Sequence, residues 1–536
     1  MNDGWAPGEH FTLPGVLDGQ AAERPDQLCM QIGDEPVTYA EMRDRSVSAA
    51  AGLRDLGVRR GHTVALFAAT SPEWVQTWFG TARLGARAAA VNAAHRGDFL
   101  AGALRACGAT VALIDDVLTD RVVAVADDLP DLKTLVVRRT PGGPELEVGR
   151  LAVRPVEDLF QVSPDPVPHD WALAWNEPWT VFFTSGTTGP SKGVLATSHY
   201  LFSAAEATVN CWRLEPGETV WSPLPLFHLS AVGTVLGPLL AGGSSVLETA
   251  FHPTRAWDRI REFGAVGLVA AGAIVNMLWN LPPDPRDAEL PIRFISAAPV
   301  ARELYRPIEE RYRCRIVTMY GLTEAFPLTV HGVDDPGVPG ASGKANPNFG
   351  VRVVDDEDQD VPAGEVGQIV CRPAAPHVMS EGYLGLPEAT LERVRNLWFH
   401  TGDLGRLDAA GNLYYVDRQK DAMRRRGENI SSFEVEQAVL RHPSVAEAAA
   451  FGVPSDLGED DVMVCVTTRD GADLDCVEFL DFCAERMPYF AVPRYVEVLG
   501  ELPKNALGRI TKDTLRERGI VASTWDREAV GYVVRR

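Results

Sequence analysis

The stretch WTVFFTSGTTGPSKGV, residues 179–194, joins a strand-like apolar run to a loop of small and hydroxyl-bearing residues. From Thr184 to Val194 it holds three threonines, two serines, three glycines and one lysine. Hydroxyls and bare glycine amides can together bind an anion, and Lys192 adds a mobile positive charge. The alternative is a flexible Ser/Gly linker. The position of the stretch directly after a buried strand favours an anion-binding loop. The stretch does not match the Walker pattern GxxxxGK[ST].

A second stretch whose side chains could bind a ligand is MYGLTEAFPLT, residues 319–329. It follows the strand-like run RIVT. Tyr320 can stack on a base, the Thr323 hydroxyl can reach a phosphate and the Glu324 carboxylate can hold Mg²⁺. The alternative interpretation is a polar turn.

A third stretch is WFHTGDLGRLDAAGNLYYVDRQKD, residues 398–421. Asp403 stands between turn glycines, where its carboxylate can accept hydrogen bonds from a ribose diol. Arg418 can pair with a phosphate. The three stretches in this order are far more specific than any one of them alone.

Strand-like and helix-like segments alternate through the first part of the chain. The segment 38–58 has a Thr38 N-cap, helical apolar spacing and a glycine stop, and a second helix begins with Ser71 as cap and Pro72 at its first position. The apolar runs HTVALFAA, ARAAAVNA, LVAAGA, RFISAA and RIVTMYG read as strands. This alternation predicts an α/β fold of mostly parallel sheets covered by helices on both faces.

The pattern changes after Gly350. Residues 351–372 read as a β-hairpin with an acidic, solvated loop, residues 411–430 as a further hairpin, and SSFEVEQAVLRH as a helix. A smaller α+β unit closes the chain. We predict a large domain over 1–417, a hinge at 418–421 and a small domain over 422–536, since 536 residues exceed one hydrophobic core.

Charge, cysteine usage and hydropathy exclude several classes of protein. The net charge is −22 and the longest basic run is RRR at 424–426, which argues against a nucleic-acid partner. The eight cysteines form no CxxC pair and no zinc spacing, and the first residues lack a signal peptide, so we expect a cytoplasmic chain. Residues 263–281 approach the length of a membrane span, but Asn276 and three glycines favour a buried strand followed by a helix. The sequence leaves a homodimer open.

The three stretches in this order resemble the adenylate-forming superfamily of acyl-CoA synthetases, luciferases and nonribosomal-peptide adenylation domains. The resemblance extends from about Pro14 to Arg518. It implies a large domain of helix-covered sheets with a β-barrel-like subdomain, and a small, mobile C-terminal domain. It also implies that ATP, with Mg²⁺, and an acid form an acyl-adenylate and pyrophosphate, and that a thiol or an amine then takes the acyl group.

Individual roles follow from this resemblance. The cofactor-binding set matched to the family's motifs is Thr184, Ser185, Gly186, Thr187, Thr188 and Lys192 around the β- and γ-phosphates, Ala298 and Pro299 beside adenine, Tyr320, Gly321 and Thr323 at the base and α-phosphate, Glu324 on Mg²⁺, and Asp403 and Arg418 at the ribose. Gly427, Glu428 and Asn429, in RRRGENISSFEVE, match a loop that lines the pantetheine tunnel for CoA. Lys420 falls at the hinge.

His228, in PLFHLS, matches the residue that lines the acid channel, and its alternative is a core or capping histidine. The pocket walls are expected from residues 228–235 and 270–276, with Ser296, Ala297 and Gly321. These are mostly small or apolar, which allows a medium-sized or aryl acid. No lysine or arginine in them would hold a dicarboxylate, and no cage for a cationic acid such as carnitine can be located.

The last family motif departs from its usual form. PKNALGRITK, residues 503–512, carries Arg509 where the family has the lysine that reaches the α-phosphate and the acid oxygen. Arginine keeps the charge but is planar, longer and forked. Three interpretations stay open: Arg509 does the work, Lys512 substitutes for it, or adenylation is lost and the protein only binds nucleotides.

The identity of the acceptor is also open. The sequence is similar to crotonobetaine/carnitine-CoA ligase-type enzymes in the segments WFHTGDLG, VDRQKDAMRRRGENISSFEVE and TWDRE. This similarity favours CoA as the acceptor. Related ATP-dependent diazotases adenylate nitrite and pass a nitrosyl group to an aryl amine. Luciferase-like oxidation has no specific residue in its support.

Overall fold

The computed structural model describes residues 11–140, 142–146, 148–161, 171–184, 192–419, 423–425, 428–430, 432–455, 460–469, 472–487, 491–505 and 509–534. Its strands are β1 (Leu28–Ile32), β2 (Glu35–Thr38), β3 (Thr63–Phe67), β4 (Arg87–Ala90), β5 (Val111–Asp115), β6 (Thr134–Arg138), β7 (Ala152–Pro155), β8 (Pro178–Phe183), β9 (Gly193–Thr197), β10 (Thr219–Ser222), β11 (Ser244–Leu247), β12 (Gly267–Ala271), β13 (Phe294–Ala298), β14 (Arg315–Leu322), β15 (Ala325–His331), β16 (Lys344–Ala345), β17 (Phe349–Val354), β18 (Gly367–Pro373), β19 (Val394–Arg395), β20 (Trp398–Leu407), β21 (Leu413–Arg418), β22 (Met423–Arg425), β23 (Glu428–Ile430), β24 (Val445–Pro454), β25 (Asp460–Thr468), β26 (Tyr495–Val498) and β27 (Trp525–Asp526).

The α-helices alternate with these strands. They are α1 (Leu13–Glu23), α2 (Tyr39–Asp55), α3 (Pro72–Leu84), α4 (Gly97–Cys107), α5 (Thr119–Val123), α6 (Ser198–Trp212), α7 (Gly237–Ala241), α8 (Pro253–Glu262), α9 (Gly272–Trp279), α10 (Arg302–Tyr312), α11 (Pro387–Leu391), α12 (Ser432–Val439), α13 (Cys476–Ala484) and α14 (Lys512–Arg518).

The chain divides into two compact units. The first comprises residues 1–186, 190–351 and 371–397, and the second comprises residues 187–189, 352–370 and 398–536. The sequence places a hinge at 418–421, within the span of the second unit. That hinge stays a prediction, since Lys420 and Asp421 lie outside the described residues.

Two large sheets build the first unit. One has nine strands in the order β16–β15–β14–β13–β12–β10–β11–β1–β2, and the other has seven in the order β7–β6–β5–β3–β4–β8–β9. The interior pairs run parallel, and antiparallel pairs occur only toward the ends, among the described strands. Parallel neighbours need crossover connections, which are mostly helices here. The predicted α/β class is confirmed.

The two predicted N-caps form as expected. The Thr38 hydroxyl accepts a hydrogen bond from the Glu41 amide at 3.2 Å, and the Glu41 carboxylate accepts one from the Thr38 amide at 2.8 Å, which closes a capping box at the start of α2. Ser71 caps α3 in the same way, at 3.2 Å from the Trp74 amide, and Gly85 ends that helix with a φ of 72°.

One hydrophobic cluster joins the two sheets. It contains buried residues of β1 and β11 from the nine-stranded sheet and of β3 and β8 from the seven-stranded sheet, together with the apolar faces of α2, α3 and α6. Trp78 and Trp179 stack within it at 4.7 Å between ring centroids. Helices between sheets therefore form the core that fixes both sheets in the first unit.

The apolar segment that approaches the length of a membrane span forms a buried strand followed by a helix. Residues 263–281 contain β12 and α9, joined at Gly272, as the sequence predicts. A Cβ atom on Gly272 would lie 1.8 Å from the carbonyl oxygen of Pro299, so the first turn of α9 touches the end of β13. None of the helices in the described part of the chain has the length and apolarity of a membrane span.

The second unit contains antiparallel β structure and a small α+β part. β18 neighbours β17 and β20, and β20 also pairs with β21. β24, β25, β26 and β27 form a four-stranded sheet beside α12, α13 and α14. The predicted hairpin over 351–372 is confirmed as β17 and β18, and the predicted helix after residue 430 is α12.

The hairpin predicted over residues 411–430 is wrong in its pairing. β21 pairs with the preceding strand β20, and β22 pairs with β23. The reason is the tight turn at 408–412, in which the Asp408 carboxylate accepts hydrogen bonds from the Ala410 and Asn412 amides at 2.9 and 2.8 Å. This turn closes β20 onto β21 before the chain can continue.

Candidate active site

The ends of the predicted anion loop are held together by β8 and β9. These strands pair antiparallel up to Phe183 and Gly193. The Thr184 amide then donates to the Lys192 carbonyl at 3.0 Å, and the Lys192 amide donates to the Thr184 hydroxyl at 3.3 Å. A closed hairpin therefore presents Lys192. The predicted contacts of Ser185, Gly186, Thr187 and Thr188 lie outside the described residues.

Tyr383 connects this hairpin to Glu324. The segment 381–384 pairs with β9, since the Leu384 amide donates to the Gly193 carbonyl at 2.7 Å. The Tyr383 hydroxyl donates to a carboxylate oxygen of Glu324 at 2.5 Å, and the Lys192 ammonium lies 4.9 Å from the centre of the Tyr383 ring. Tyr383 and Glu324 are 5% and 6% exposed. Tyr383 therefore contacts both Lys192, the cation of the loop, and Glu324, the predicted metal ligand.

The electrostatics of this group follow from burial. Burial, and then the charge of Glu324, raise the pKa of Tyr383, so the tyrosine stays a neutral donor. Tyr200 adds support, because its hydroxyl donates to the Thr323 carbonyl at 3.1 Å. Burial and Glu324 raise the pKa of Tyr200 as well. The backbone before Glu324 is therefore fixed from a second side.

The chemistry of Glu324 fits the predicted magnesium ion. A carboxylate is the hard oxygen ligand that Mg²⁺ prefers, and the hydrogen bond from Tyr383 engages only one of its two oxygens. No group of three or more metal-ligating side chains occurs among the described residues. Mg²⁺ sites commonly use one or two carboxylates together with phosphate oxygens and water, so the magnesium role of Glu324 stays a prediction.

The carboxyl ends of β12, β13 and β14 bring the predicted adenine and acid residues to one edge. Ala271 pairs with Ala298 in register, and Ala298, the last residue of β13, and the following Pro299 are both exposed. Tyr320 near the end of β14 is 8% exposed. Ligands of open α/β sheets bind outside the carboxyl ends of strands. The predicted roles of Ala298, Pro299, Tyr320, Gly321 and Thr323 stay predictions at a place where such binding is expected.

His228 lies in the connection between β10 and α7. Its ring is half-buried and its centroid is 4.5 Å from that of Phe227. A π-helical turn from Val232 to Leu236 follows, and the Thr234 hydroxyl donates to the Ser230 carbonyl at 3.0 Å. π-turns are frequent at functional sites. The acid-channel role of His228 remains a prediction.

In the second unit, Asp403 and Arg418 form an ion pair. They face each other in the register of β20 and β21, and the Arg418 Nε lies 2.8 Å from Asp403 Oδ1. The Asp403 side chain is 4% exposed and the Arg418 side chain 43%. A buried carboxylate and a solvent-accessible guanidinium thus stand side by side, which suits a sugar hydroxyl and a phosphate.

Arg509 and Lys512 differ in their surroundings. Arg509 is an exposed residue, while desolvation of its guanidinium and repulsion from the nearby Arg418 lower its pKa. The Lys512 ammonium instead lies 2.8 Å from Glu436 and 2.5 Å from the Ser432 hydroxyl. Of these two cations, Arg509 is therefore the one whose pKa responds to the charge of Arg418, whereas Lys512 is held by α12.

The remaining predicted positions are only partly described. Glu428 and Asn429 lie on β23 and pair with Arg425 and Arg424 of β22. Gly427 and Lys420 lie outside the described residues. The pantetheine and hinge roles of these four residues stay predictions.

Sequence reasoning missed Tyr383. It stands in GYLGLPEAT, 59 residues after Glu324, and no spacing connects the two. The only sequence signal is an aromatic residue between turn glycines, which is too common to single out. Ser432 and Glu436, the partners of Lys512, were missed for the same reason.

Comparisons with known proteins agree with this geometry. A family model described as AMP-binding enzyme matches residues 17–384, and a model described as AMP-binding enzyme C-terminal domain matches residues 434–509. Indoleacetate–CoA ligase of Aromatoleum aromaticum is 29% identical over 506 residues, covering 94% of this chain and 97% of that protein. Crotonobetaine/carnitine–CoA ligase of Salmonella agona is 27% identical, covering 89% and 93%.

Solved structures of CoA ligase-like proteins superpose on most of the chain. An anthranilate CoA ligase in complex with anthranoyl-AMP superposes with a TM-score of 0.84 at 25% identity, covering 95% of this chain and 98% of the other. ATP-bound MatB from Rhodopseudomonas palustris gives a TM-score of 0.82 at 25% identity, covering 94% and 98%.

Proposed function

The chain belongs to the AMP-binding enzyme family, and from this premise we propose that it activates an organic acid as its adenylate and passes the acyl group to CoA. An acid carboxylate oxygen attacks the α-phosphorus of ATP and pyrophosphate leaves. The CoA thiol then attacks the acyl carbonyl and AMP leaves. The observation that carries the proposal is the Lys192, Tyr383 and Glu324 group.

That group supplies what a polyphosphate needs. Lys192 offers a positive charge to the β- and γ-phosphates, and Tyr383 fixes the Glu324 carboxylate beside it. A magnesium ion held there would neutralise developing phosphate charge. Thr184 closes the hairpin that presents Lys192. Fixed charges of this kind stabilise a transition state without reorganisation.

The second unit supplies the ribose and α-phosphate contacts. Asp403 is assigned to the ribose hydroxyls and Arg418 to a phosphate. Arg509 is assigned to the α-phosphate and the acid oxygen. Its place near Arg418 and the ion pair of Lys512 with Glu436 favour Arg509 over Lys512 for this role.

The relatives favour CoA as the acceptor, and the predicted pocket residues favour an acid without a second carboxylate. Three of the four proteins named above are CoA ligases, two of them for the aryl acids indoleacetate and anthranilate. Residues 228–235 and 270–276 contain no lysine or arginine for a second carboxylate. The diazotase and pseudoenzyme alternatives gain no support from these relatives.

The test is pyrophosphate release with a panel of acids that includes indoleacetate, anthranilate, a dicarboxylate, carnitine and nitrite, each with and without CoA. We expect pyrophosphate with a monocarboxylic acid and a CoA thioester identified by mass spectrometry. A diazo product from nitrite and an aryl amine would replace the CoA proposal. ATP binding without pyrophosphate from any acid would establish a pseudoenzyme.

A further inference from the structure

A buried polar network joins the end of β21 to the first residues of α12 and α14. The Asp417 carboxylate accepts hydrogen bonds from the Ser432 amide and the Ser432 hydroxyl, both at 2.6 Å. The Ser432 hydroxyl also lies 2.5 Å from the Lys512 ammonium, which donates to it. Asp417 is 4% exposed and Ser432 is fully buried. The network therefore starts at the residue next to Arg418.

Lys512 has a second partner on α12. Ser432 and Glu436 are one turn apart and share a face of that helix. The Lys512 ammonium lies 2.8 Å from Glu436 Oε1, and the same oxygen accepts a hydrogen bond from the Ala450 amide of β24 at 2.8 Å. Burial raises the pKa of Glu436, and the charge of Lys512 opposes that rise. Lys512 is thus the cation at the centre of the network.

Lys512 directly follows the turn that carries Arg509. The Asn505 amide donates to the Arg509 carbonyl at 2.7 Å, and the Arg509 amide donates to the Asn505 side chain at 3.0 Å. The Thr511 amide donates to the Pro503 carbonyl at 2.7 Å. These bonds make the base of the turn a stiff hairpin, so a shift of Lys512 moves Arg509 with it.

We propose that Lys512 is a positioning residue for adenylation, because its contact with Ser432 ties the Arg509 turn to Asp417, the residue next to Arg418. The proposal rests on the proposed function, because it assigns Arg509 to the first half-reaction. It gives Lys512 a role that touches no substrate.

The same turn offers a matched control. Lys504 pairs with Glu447 of β24, with 2.6 Å between Nζ and Oε1. This ion pair ties the turn to the sheet and not to Asp417. Replacement of either lysine can therefore lower the stability of the protein. Only replacement of Lys512 is expected to change the position of Arg509 relative to Arg418.

The experiment measures the two half-reactions separately in Lys512→Met, Lys512→Arg, Ser432→Ala and Lys504→Met. ATP–pyrophosphate exchange reports adenylation, and consumption of supplied acyl-adenylate by CoA reports thioester formation. We expect Lys512→Met to slow exchange by about 10- to 100-fold. Consumption of the adenylate should stay within about twofold. Lys512→Arg should restore most of the exchange, and Lys504→Met should leave the ratio of the two rates unchanged.

Two results would overturn the proposal. Equal losses in both half-reactions for Lys512→Met would mean a merely structural role, and unchanged exchange would mean no role. Ser432→Ala, which keeps the backbone bond to Asp417, decides the question if Lys512→Met does not fold. A wild-type protein that performs neither half-reaction refutes the proposed function itself, and the positioning role falls with it.

Discussion

At the scale of single residues, Arg509 is the side chain whose chemistry departs most from the family pattern. It lies beside Arg418, and desolvation and that neighbouring charge lower its pKa. An arginine remains charged under these conditions because its ordinary pKa is so high. The guanidinium can therefore place a positive charge on the α-phosphate, provided that its longer, planar shape fits.

We expect Arg509→Ala to slow pyrophosphate release by about 10²- to 10³-fold, since one stabilising charge on the reacting phosphate is lost. Arg509→Lys should retain most of the rate because the charge remains. Initial rates of pyrophosphate release check this. Arg516→Ala is the control, as Arg516 pairs with Asp513 inside α14 at 2.8 Å. Full activity of Arg509→Ala would contradict the assignment.

Tyr383 is the second residue whose role can be isolated. Tyr383→Phe removes the hydroxyl that donates to Glu324 and keeps the ring beneath Lys192. We expect the affinity for magnesium-bound ATP, measured by calorimetry, to fall by roughly 10-fold, because outer partners orient metal ligands.

Tyr532→Phe serves as the matched control for Tyr383, since its hydroxyl donates to Asp481 at 2.7 Å in an exposed pair. It should bind like the wild type. Unchanged affinity in Tyr383→Phe would show that the hydrogen bond to Glu324 does not position the ligand.

At the scale of elements, the acid-pocket segment depends on α10 for its support. Arg311 on α10 pairs with Asp287 at 2.7 Å, with side chains 14% and 5% exposed. It also donates to the carbonyls of Trp279, the last residue of α9, and of Leu281. One buried guanidinium thus fixes the end of the helix that follows β12.

Arg311→Ala should lower the free energy of unfolding by about 3 kcal/mol, because Asp287 is left buried without its cation. Urea denaturation monitored by tryptophan fluorescence checks this. Arg286→Ala breaks the exposed pair with Asp284, whose side chains are 59% and 37% exposed, and should leave the free energy of unfolding almost unchanged. Equal effects from the two variants would contradict the ranking by burial.

At the scale of the whole molecule, the two half-reactions are expected to need two arrangements of the small domain. The family resemblance places the hinge at Lys420. We expect Lys420→Pro to slow transfer to CoA and to spare adenylation, because proline fixes φ at the point of rotation. Measurement of both half-reactions checks this, with Lys420→Ala as the control that keeps backbone freedom. Equal loss in both half-reactions would argue against a hinge at this position.

The sequence by itself determined the fold class and most of the alternation of strands and helices, and it led to the prediction of the nucleotide-binding segments. These depend on local signals: the caps at Thr38 and Ser71, the apolar runs of the parallel strands, and short glycine- and hydroxyl-rich stretches. Local signals suffice because propensity and hydrophobic periodicity act within a few residues of one another.

Only the tertiary structure decided which distant side chains meet. The bond from Tyr383 to Glu324, the pairing of β21 with β20, and the network of Asp417, Ser432 and Lys512 join residues that no spacing connects. Such contacts are set by strand register and helix packing, where a one-residue slip reverses the face that a side chain occupies. The distinct surroundings of Arg509 and Lys512 arise in this way, from folding and not from the two residues that separate them.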